Sequence, residues 1–247
     1  MRQLLAPRNR AHLEALATSR AILAFDFDGT LAPIVPDRDR AAMRVRTRRL
    51  FARVCDLYPC AVISGRSRGD VAGRLGEAGV RHVVGNHGIE PGEHIEAYAA
   101  ALAPVRAHFA RAFAGVYGID VEDKRYSLAV HYRRALHAGR ARTLIDRAIA
   151  AAPCALRTVA GLFVANVLPL GAPTKGDVLV DLCDREGAER ALYVGDDVTD
   201  EDVFVLERPE GLVKTRVGRS RSSAARFYLR EQREIDVLLA SLVELRS

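Results

Sequence analysis

Short apolar runs alternate with helical stretches, and this rhythm restricts the fold more than any other feature of the sequence. The run Ala21-Ile-Leu-Ala-Phe25 precedes a helical stretch over 41–57, a second run over 60–63, another helix and a third run over 81–84. Continuous apolar runs of this length are typical of strands buried on both faces. Strands and helices in alternation predict parallel βαβ units, and hence a doubly wound α/β sheet.

The middle of the chain has a different pattern. An Ala-rich helix begins near residue 95, and a second helix spans about 138–151. Four strand-like segments accompany these helices, over 119–123, 126–133, 154–159 and 162–168. Helices with paired strands predict a small α+β unit with its own sheet.

The βα rhythm resumes after Gly171-Ala-Pro-Thr174, with another apolar run over 191–194. We therefore predict a Rossmann-like core with a mostly parallel sheet, built from residues 1–94 and 172–247. The α+β unit over 95–171 would be an inserted cap domain.

Charge and hydropathy indicate whether the protein binds nucleic acid or a membrane. The 247 residues carry a formal net charge of +6, but the basic residues are dispersed along the chain. The densest basic run, Arg44-Val-Arg-Thr-Arg-Arg49, is explained by a solvated helix face, so no nucleic acid partner is predicted. The apolar runs are too short to cross a membrane, and the first 20 residues lack the pattern of a signal peptide. We expect a cytoplasmic protein without a membrane partner, as a monomer or weak oligomer.

Two carboxylates follow the first apolar run directly, in Phe25-Asp26-Phe27-Asp28-Gly29-Thr30-Leu31. Ligands of open α/β sheets bind beyond the carboxyl ends of the strands. Neighbouring carboxylates repel each other there and are costly to desolvate, and a cation removes both costs. Hard oxygen ligands beside a phosphate favour Mg²⁺, which is the cofactor we predict. The alternative, an Asp in an ordinary turn, explains a single carboxylate better than a pair.

A second acidic segment, Gly195-Asp196-Asp197-Val-Thr-Asp200-Glu201, follows the run over 191–194. It supplies further carboxylates that would complete a metal site at the same edge of the sheet. We predict Asp196 as a metal ligand, and Asp197 and Asp200 as supporting ligands or as groups that orient the ligands. The alternative for Asp200 is a cap on the helix that begins near Glu201.

Two residues are candidates for binding a phosphoryl group. Ser64 ends the second apolar run, and its hydroxyl and the amides that follow suit a phosphoryl oxygen. Lys175 begins a helix, where the helix dipole disfavours a cation, so this position indicates a bound anion or a carboxylate partner. The alternatives are an ordinary Ser-Gly-Arg turn and a solvated lysine.

Taken in their order along the chain, these four segments resemble the haloacid dehalogenase-like phosphatase superfamily. The resemblance implies that Asp26 is the nucleophile and that Asp28 is the general acid and base. It also implies that Ser64 and Lys175 hold the phosphoryl group. Mg²⁺ would be coordinated by Asp26, Asp196 and the backbone carbonyl of Asp28.

Further segments are similar to the trehalose-6-phosphate phosphatase family. They are Leu31-Ala-Pro-Ile34, Gly85-Asn86-His87-Gly88-Ile89-Glu90, the stretch over 122–133, and Thr199-Asp200-Glu201. The resemblance implies a Mg²⁺-dependent phosphatase of trehalose 6-phosphate whose cap binds the sugar. The substrate-binding candidates that it implies are Arg66, Asn86, His87, Gly88, Glu122, Lys124, Ser127, His131 and Arg133.

The alternation of side chains along strands agrees with a sugar-binding cap. Glu122 and Lys124 share one face of a predicted strand, and Ser127, His131 and Arg133 share one face of the next. Opposed polar rows would suit the many hydroxyl groups of a disaccharide. The alternative is a solvated sheet face with cross-strand ion pairs, and for His131 simple packing.

One segment departs from the family. The family often has a Glu and a basic residue before the Pro of the last cap strand, whereas this chain has Phe163-Val-Ala-Asn166-Val-Leu-Pro169. Asn166 forms hydrogen bonds but carries no charge. The departure leaves open another sugar phosphatase of the superfamily, acting on sucrose 6-phosphate or a glycosyl-phosphoglycerate. A non-catalytic phospho-acceptor domain is a third candidate, although its phosphorylated Asp would lie on a later strand than the acidic pair.

Overall fold

A computed structural model describes residues 1–161 and 163–247, and the chain divides into two compact units. The first unit consists of residues 1–88 and 174–247, and the second of residues 89–173. The boundaries predicted from the sequence, 94/95 and 171/172, stay predictions.

The described residues form eleven strands and eight α-helices. The strands are β1 (Arg2–Gln3), β2 (Ala21–Phe25), β3 (Cys60–Ile63), β4 (His82–Val84), β5 (Asp120–Asp123), β6 (Leu128–His131), β7 (Leu156–Gly161), β8 (Val164–Pro169), β9 (Arg190–Gly195), β10 (Val213–Val217) and β11 (Phe227–Leu229). The helices are α1 (Arg10–Ala17), α2 (Val45–Leu57), α3 (Arg68–Leu75), α4 (Ile95–Ala112), α5 (Ala138–Ala150), α6 (Lys175–Glu186), α7 (Glu201–Phe204) and α8 (Glu234–Arg246).

The first unit is built on a parallel sheet with the strand order β1-β11-β10-β9-β2-β3-β4. β2 lies between β9 and β3, and Ala24 pairs with Tyr193 on one side and Ala61 on the other. Because the strands run in the same direction, the carboxyl ends of β2, β3, β4 and β9 lie along one edge. The mostly parallel sheet predicted from the sequence is confirmed.

Side-chain alternation along β2 divides the hydrophobic core of this unit into two layers. Leu23 and Phe25 belong to the layer that includes apolar residues of α1, α2, α3 and α8. Ile22 and Ala24 belong to the layer that includes residues of α6 and α7. Helices therefore cover both faces of the sheet, which explains why the strand is apolar at every position.

The second unit contains an antiparallel sheet with the order β5-β6-β8-β7 and the two helices α4 and α5. Val130 and Val167 pack in a core with Phe109 and Ile145 from the helices. This is the α+β unit that the sequence predicts. The predicted strand over 162–168 corresponds to β8, and its first residue, Leu162, lies outside the described residues.

The sequence analysis missed the two short strands β1 and β11. β1 has two residues and β11 has three, which is too short for a periodic pattern. They form through pairing, since Arg2 aligns with Phe227 and Phe227 aligns with Thr215 of β10. In the described part of the chain, no helix combines the length and apolar character needed to cross a bilayer.

Candidate active site

The segment over 26–31 turns back on itself directly after β2. Gly29 N donates to Ala32 O at 2.8 Å, and Ala32 N donates to Phe27 O at 2.8 Å. Gly29 has φ +80°, and a Cβ atom at this position would lie 2.0 Å from Asp196 Oδ2. Glycine is therefore required both by the backbone conformation and by the close approach of the turn to Asp196.

Three carboxylates from two strand ends meet next to this turn. Oxygens of Asp26, Asp196 and Asp200 all lie within 4.8 Å of one another. Asp26 follows β2, while Asp196 and Asp200 follow the neighbouring β9. The acidic segments that the sequence analysis assigned to one metal site therefore converge. Asp197 lies outside this group of three, and its role as a ligand stays a prediction.

Lys175 supplies a positive charge inside the acidic group. Its side chain is almost fully buried, and its Nζ donates to Asp26 Oδ1 at 2.8 Å and to Asp200 Oδ1 at 2.7 Å. A lysine at a helix start is disfavoured by the helix dipole, and the sequence analysis therefore expected a bound anion or a carboxylate partner. The structure shows two carboxylate partners. A capping box holds the start of α6, because Thr174 Oγ1 accepts from Asp177 N at 3.0 Å and Asp177 Oδ2 accepts from Thr174 N at 2.8 Å.

Asp200 holds Lys175 in place. Its Oδ1 also accepts a bond from the Tyr193 hydroxyl at 2.7 Å, and its Oδ2 accepts one from Asp197 N at 2.9 Å. The residue is fully buried. The bond from Asp197 N is one half of a capping box at the short 3-10 turn Val198–Asp200, which leads into α7. Asp200 therefore combines a capping role, the alternative named above, with a role in orienting Lys175.

The acidic group carries more negative charge than Lys175 balances. Burial, followed by the charges of Asp26, Asp200 and Asp197, raises the pKa of Asp196 to about 9. Burial also raises the pKa of Asp26 to about 7, against the opposing charge of Lys175. For Lys175, burial is outweighed by Asp200 and Asp26, and its pKa is raised well above its ordinary value. A divalent cation would remove the excess negative charge, and a set of hard oxygen donors fits Mg²⁺.

Ser64 lies buried at the end of β3, on the loop predicted to bind phosphate. Its Oγ accepts a hydrogen bond from Arg66 N at 3.2 Å. Its backbone N donates to Val84 O at 2.9 Å, and its carbonyl accepts from His87 N at 2.9 Å. The loop that follows β4 therefore supports the loop that follows β3.

Asn86 and His87 adopt left-handed backbone conformations, with φ of +50° and +59°. Both side chains are buried, and Asn86 N donates to Arg66 O at 2.7 Å. A Cβ atom at Gly65 would lie 2.5 Å from Cε1 of His87, so the histidine ring packs directly on the loop that follows β3. The structure assigns these residues a supporting position, and the predicted sugar contacts of Asn86, His87 and Gly88 stay predictions.

Asp28 forms a bidentate ion pair with Arg66. Arg66 Nε donates to Asp28 Oδ2 at 2.6 Å, and Nη2 donates to Oδ1 at 2.7 Å. The same guanidinium donates to Asp70 Oδ2 at 2.6 Å and to the Arg38 carbonyl at 2.7 Å. Arg66 is thus tied to the residue predicted as general acid and base, and its predicted contact with substrate stays a prediction.

Several contributors to the site escaped the sequence analysis. Thr30 Oγ1 donates to Asp196 Oδ1 at 3.4 Å, and Gln232 Nε2 donates to Thr30 O at 2.7 Å. Tyr193 could have been found from the sequence, because a tyrosine in a fully buried strand needs a polar partner for its hydroxyl. No sequence pattern indicates the contact of Gln232 with Thr30, since most of the chain separates the two residues.

Polar side chains share one face of the sheet in the second unit. Glu122 Oε2 lies 3.0 Å from His131 Nε2 and 4.0 Å from Lys124 Nζ. Asn166 belongs to the same face, because Ala129 is in register with both Glu122 and Asn166. The Glu122–His131 contact is a cross-strand pair of the kind that the alternative interpretation described.

The remaining candidates of this unit have other surroundings. Ser127 is buried, and the Arg133 guanidinium lies 5.5 Å from the centre of the Phe163 ring. Asn166 Nδ2 donates to Val159 O at 3.4 Å. The predicted sugar contacts of Glu122, Lys124, Ser127, His131 and Arg133 stay predictions.

Comparison with known sequences identifies the family. The trehalose-phosphatase family model matches residues 24–233. The trehalose-phosphate phosphatase of Mycobacterium ulcerans is 33% identical, over 87% of this chain and 60% of its own length. That of Mycobacterium tuberculosis H37Rv is 34% identical, over 87% of this chain and 59% of its own length. The chain thus spans about 60% of the length of these curated relatives.

Comparison with solved structures gives the same fold. The C-terminal domain of Candida albicans trehalose-6-phosphate phosphatase superimposes with a TM-score of 0.78 at 23% identity, covering 97% of this chain and 98% of that one. Aspergillus fumigatus trehalose-6-phosphate phosphatase gives a TM-score of 0.67 at 24% identity, covering 99% of both chains. At such identities the likeness shows the fold alone, whereas the family model covers most of the sequence. The chain belongs to the trehalose-phosphatase family.

Proposed function

We propose that this chain hydrolyses trehalose 6-phosphate to trehalose and phosphate, with Mg²⁺ as cofactor and a phospho-aspartate on Asp26 as intermediate. The observation that carries the proposal is the meeting of Asp26, Asp196 and Lys175 at adjacent strand ends, within a chain of the trehalose-phosphatase family. The relatives named above are trehalose-phosphate phosphatases by description.

The first half of the reaction transfers the phosphoryl group to Asp26. Oδ1 accepts the bond from Lys175, so we assign the attack on phosphorus to Oδ2. A bond forms between this oxygen and phosphorus, and the bond from phosphorus to the sugar oxygen breaks. A sugar alkoxide is a poor leaving group, so Asp28 gives a proton to that oxygen from its protonated form, in which one carboxyl oxygen has left Arg66. Ser64 and Lys175 hold the phosphoryl oxygens while the charge redistributes.

The second half releases phosphate. Asp28, now a carboxylate, takes a proton from a water molecule, and the water oxygen bonds to phosphorus. The bond between phosphorus and Asp26 breaks, which regenerates the carboxylate and frees inorganic phosphate. Asp28 keeps the proton that it took from water, and this proton serves the next cycle.

The metal and sugar sites complete the proposal. Asp26, Asp196 and the Asp28 carbonyl would hold the Mg²⁺, whose charge would offset that of the phosphoryl oxygens. The sugar would be bound by the substrate-binding candidates named from the family resemblance. The uncharged Asn166 favours one alternative, a different sugar phosphate as the preferred substrate.

The test is phosphate release from trehalose 6-phosphate by the purified chain, with Mg²⁺ and with a chelator. Sucrose 6-phosphate, glucose 6-phosphate and a glycosyl-phosphoglycerate serve as competing substrates. We expect release only with Mg²⁺, and the highest kcat/KM for trehalose 6-phosphate. Equal kcat/KM values across the panel would refute the substrate, and no release from any of them would refute phosphatase activity.

A further inference from the structure

A row of alternating acidic and basic side chains extends from the acid-base residue toward the surface. Asp28 pairs with Arg66, Arg66 pairs with Asp70, and Asp70 pairs with Arg74. We call these four residues the ion-pair chain. Arg66 is the buried member, with a side chain 9% exposed, whereas Asp28 and Asp70 are 38% and 39% exposed.

Asp70 uses both carboxylate oxygens to join two guanidiniums. Its Oδ2 accepts from Arg66 Nη1 at 2.6 Å, and its Oδ1 accepts from Arg74 Nε at 2.8 Å. Asp70 lies in the first turn of α3, where an acidic residue also suits the helix dipole. Hydrogen bonds and charge from Arg66, with that of Arg74, outweigh the effect of burial and lower the pKa of Asp70. Asp70 is therefore held as an ionised bridge.

The outer end of the ion-pair chain is attached to backbone. Arg74 Nη1 donates to the Ala41 carbonyl at 2.7 Å and to the Asp39 carbonyl at 3.1 Å. The inner end is attached as well, because Arg66 donates to the Arg38 carbonyl at 2.7 Å. The orientation of the Arg66 guanidinium is thus set by fixed acceptors on two sides.

We propose that Asp70 is a positioning residue for Asp28 as the base that takes a proton from water, acting through Arg66. This inference rests on the proposed function. A planar guanidinium bound to both oxygens of the ionised Asp28 fixes the plane and direction of this carboxylate. Asp70 in turn fixes the plane of the guanidinium. Asp28 is partly exposed and without this support would populate several rotamers, and misplacing a reacting group by about 1 Å can cost about 10²-fold in rate.

The proposed role is tested by Asp70→Asn. Arg66 and Arg74 bind different oxygens of Asp70, and an asparagine replaces one of these oxygens with an NH₂ group that only donates, so one of the two bonds is lost. Asp181→Asn is the matched control, because Asp181 forms the same i,i+4 pair with Arg185, at 3.0 Å, on the exposed face of α6. Arg74→Gln is a second variant, which removes the ion pair between Arg74 and Asp70 while keeping Asp70 itself. Thermal unfolding of each variant shows whether the fold is kept.

The two substrates are trehalose 6-phosphate and 4-nitrophenyl phosphate. Nitrophenolate leaves without protonation, so transfer of phosphate from the aryl ester to Asp26 does not need the acid. Hydrolysis of the phospho-aspartate still needs the base. For Asp70→Asn we expect a burst approaching one nitrophenol per chain, followed by slow turnover, and kcat on trehalose 6-phosphate reduced about tenfold. Arg74→Gln should give a smaller burst, and Asp181→Asn should behave as the wild type.

Two results would overturn this role while leaving the proposed function standing. One is an Asp70→Asn variant that matches Asp181→Asn on both substrates. The other is an equal loss on both substrates without a burst, which indicates general damage to the site. A wild-type chain that turns over neither substrate would instead refute the proposed function, and this inference with it.

Discussion

At the scale of single residues, Lys175 shows how a buried charge organises the site. Its ammonium contacts Asp26 and Asp200, and Asp200 is held in turn by Tyr193 and by the amide of Asp197. A compact ammonium fits between two carboxylates, whereas the larger planar guanidinium of arginine would have to displace one of them. Lys175 therefore both positions Asp26, the proposed nucleophile, and limits the repulsion around it.

We expect Asp26→Asn to reduce phosphate release by about 10⁴-fold or more, because the amide cannot act as the nucleophile. The folded state should persist, since the side chain keeps its shape and its oxygen still accepts from Lys175. Steady-state kinetics with trehalose 6-phosphate and a circular dichroism melt measure the two effects. Asp146→Asn, at an exposed position of α5, is the control, and substantial activity of Asp26→Asn would contradict the mechanism.

Asp196 makes stability dependent on pH when metal is chelated. Its pKa in the folded protein, about 9, lies above the ordinary value of 3.8. The folded state therefore holds a proton that the unfolded chain has lost, so this group destabilises the fold increasingly as pH rises between these two values. The effect is absent below the lower value and complete above the higher one.

We expect Asp196→Asn to melt at a higher temperature than the wild type in a chelator, with a difference that widens from about pH 5 to about pH 9. Saturating Mg²⁺ should narrow the difference, because the ion stabilises the ionised wild-type site. Thermal unfolding at a series of pH values measures this, with Asp181→Asn as a control that keeps the wild-type slope. A difference in melting temperature between Asp196→Asn and the wild type that does not vary with pH would show that folding does not raise the pKa of Asp196.

At the scale of structural elements, strand ends and a helix start place the proposed catalytic groups. The loops after β2, β3 and β9 carry Asp26, Ser64 and Asp196, and the loop after β4 supports Ser64 through its backbone. Lys175 comes from the opposite kind of terminus, the first residue of α6. Its position therefore depends on the cap that begins this helix.

Thr174→Ala removes the side-chain half of the capping box at α6. We expect a loss of about 1 kcal/mol in the free energy of unfolding, as is common for such caps. Because Lys175 is the next residue, kcat should also fall, by more than the unfolded fraction explains. Urea denaturation and kinetics measure these effects, and Thr174→Ser should restore both. An unchanged kcat of Thr174→Ala would show that the capping box is not needed to place Lys175.

At the scale of the whole molecule, the chain is divided between two units with separate hydrophobic cores. The described acidic group and Lys175 belong entirely to the first unit. The polar sheet face with Glu122, His131 and Asn166 belongs to the second. If the second unit binds the sugar as proposed, chemistry and sugar selection can be changed separately.

We expect Glu122→Ala to reduce kcat/KM for trehalose 6-phosphate at least about tenfold, since a lost charged hydrogen bond to a substrate costs roughly 1.5–3 kcal/mol. Activity on 4-nitrophenyl phosphate, which has no sugar, should change little. Asp146→Ala in the same unit is the control for loss of an acidic side chain away from this face. An equal reduction of kcat/KM on both substrates in Glu122→Ala would show that Glu122 does not recognise the sugar.

The sequence by itself determined the parallel sheet and the strand ends that carry Asp26, Ser64 and Asp196. Apolar periodicity and turn residues are local, so they can be read without knowing what packs against them. Tertiary structure alone decided the pairing of Arg66 with Asp28, the support of Asp200 by Tyr193, and the strands β1 and β11. Each of these depends on side-chain direction or on strand pairing between segments distant in the chain, and local sequence patterns do not encode such contacts.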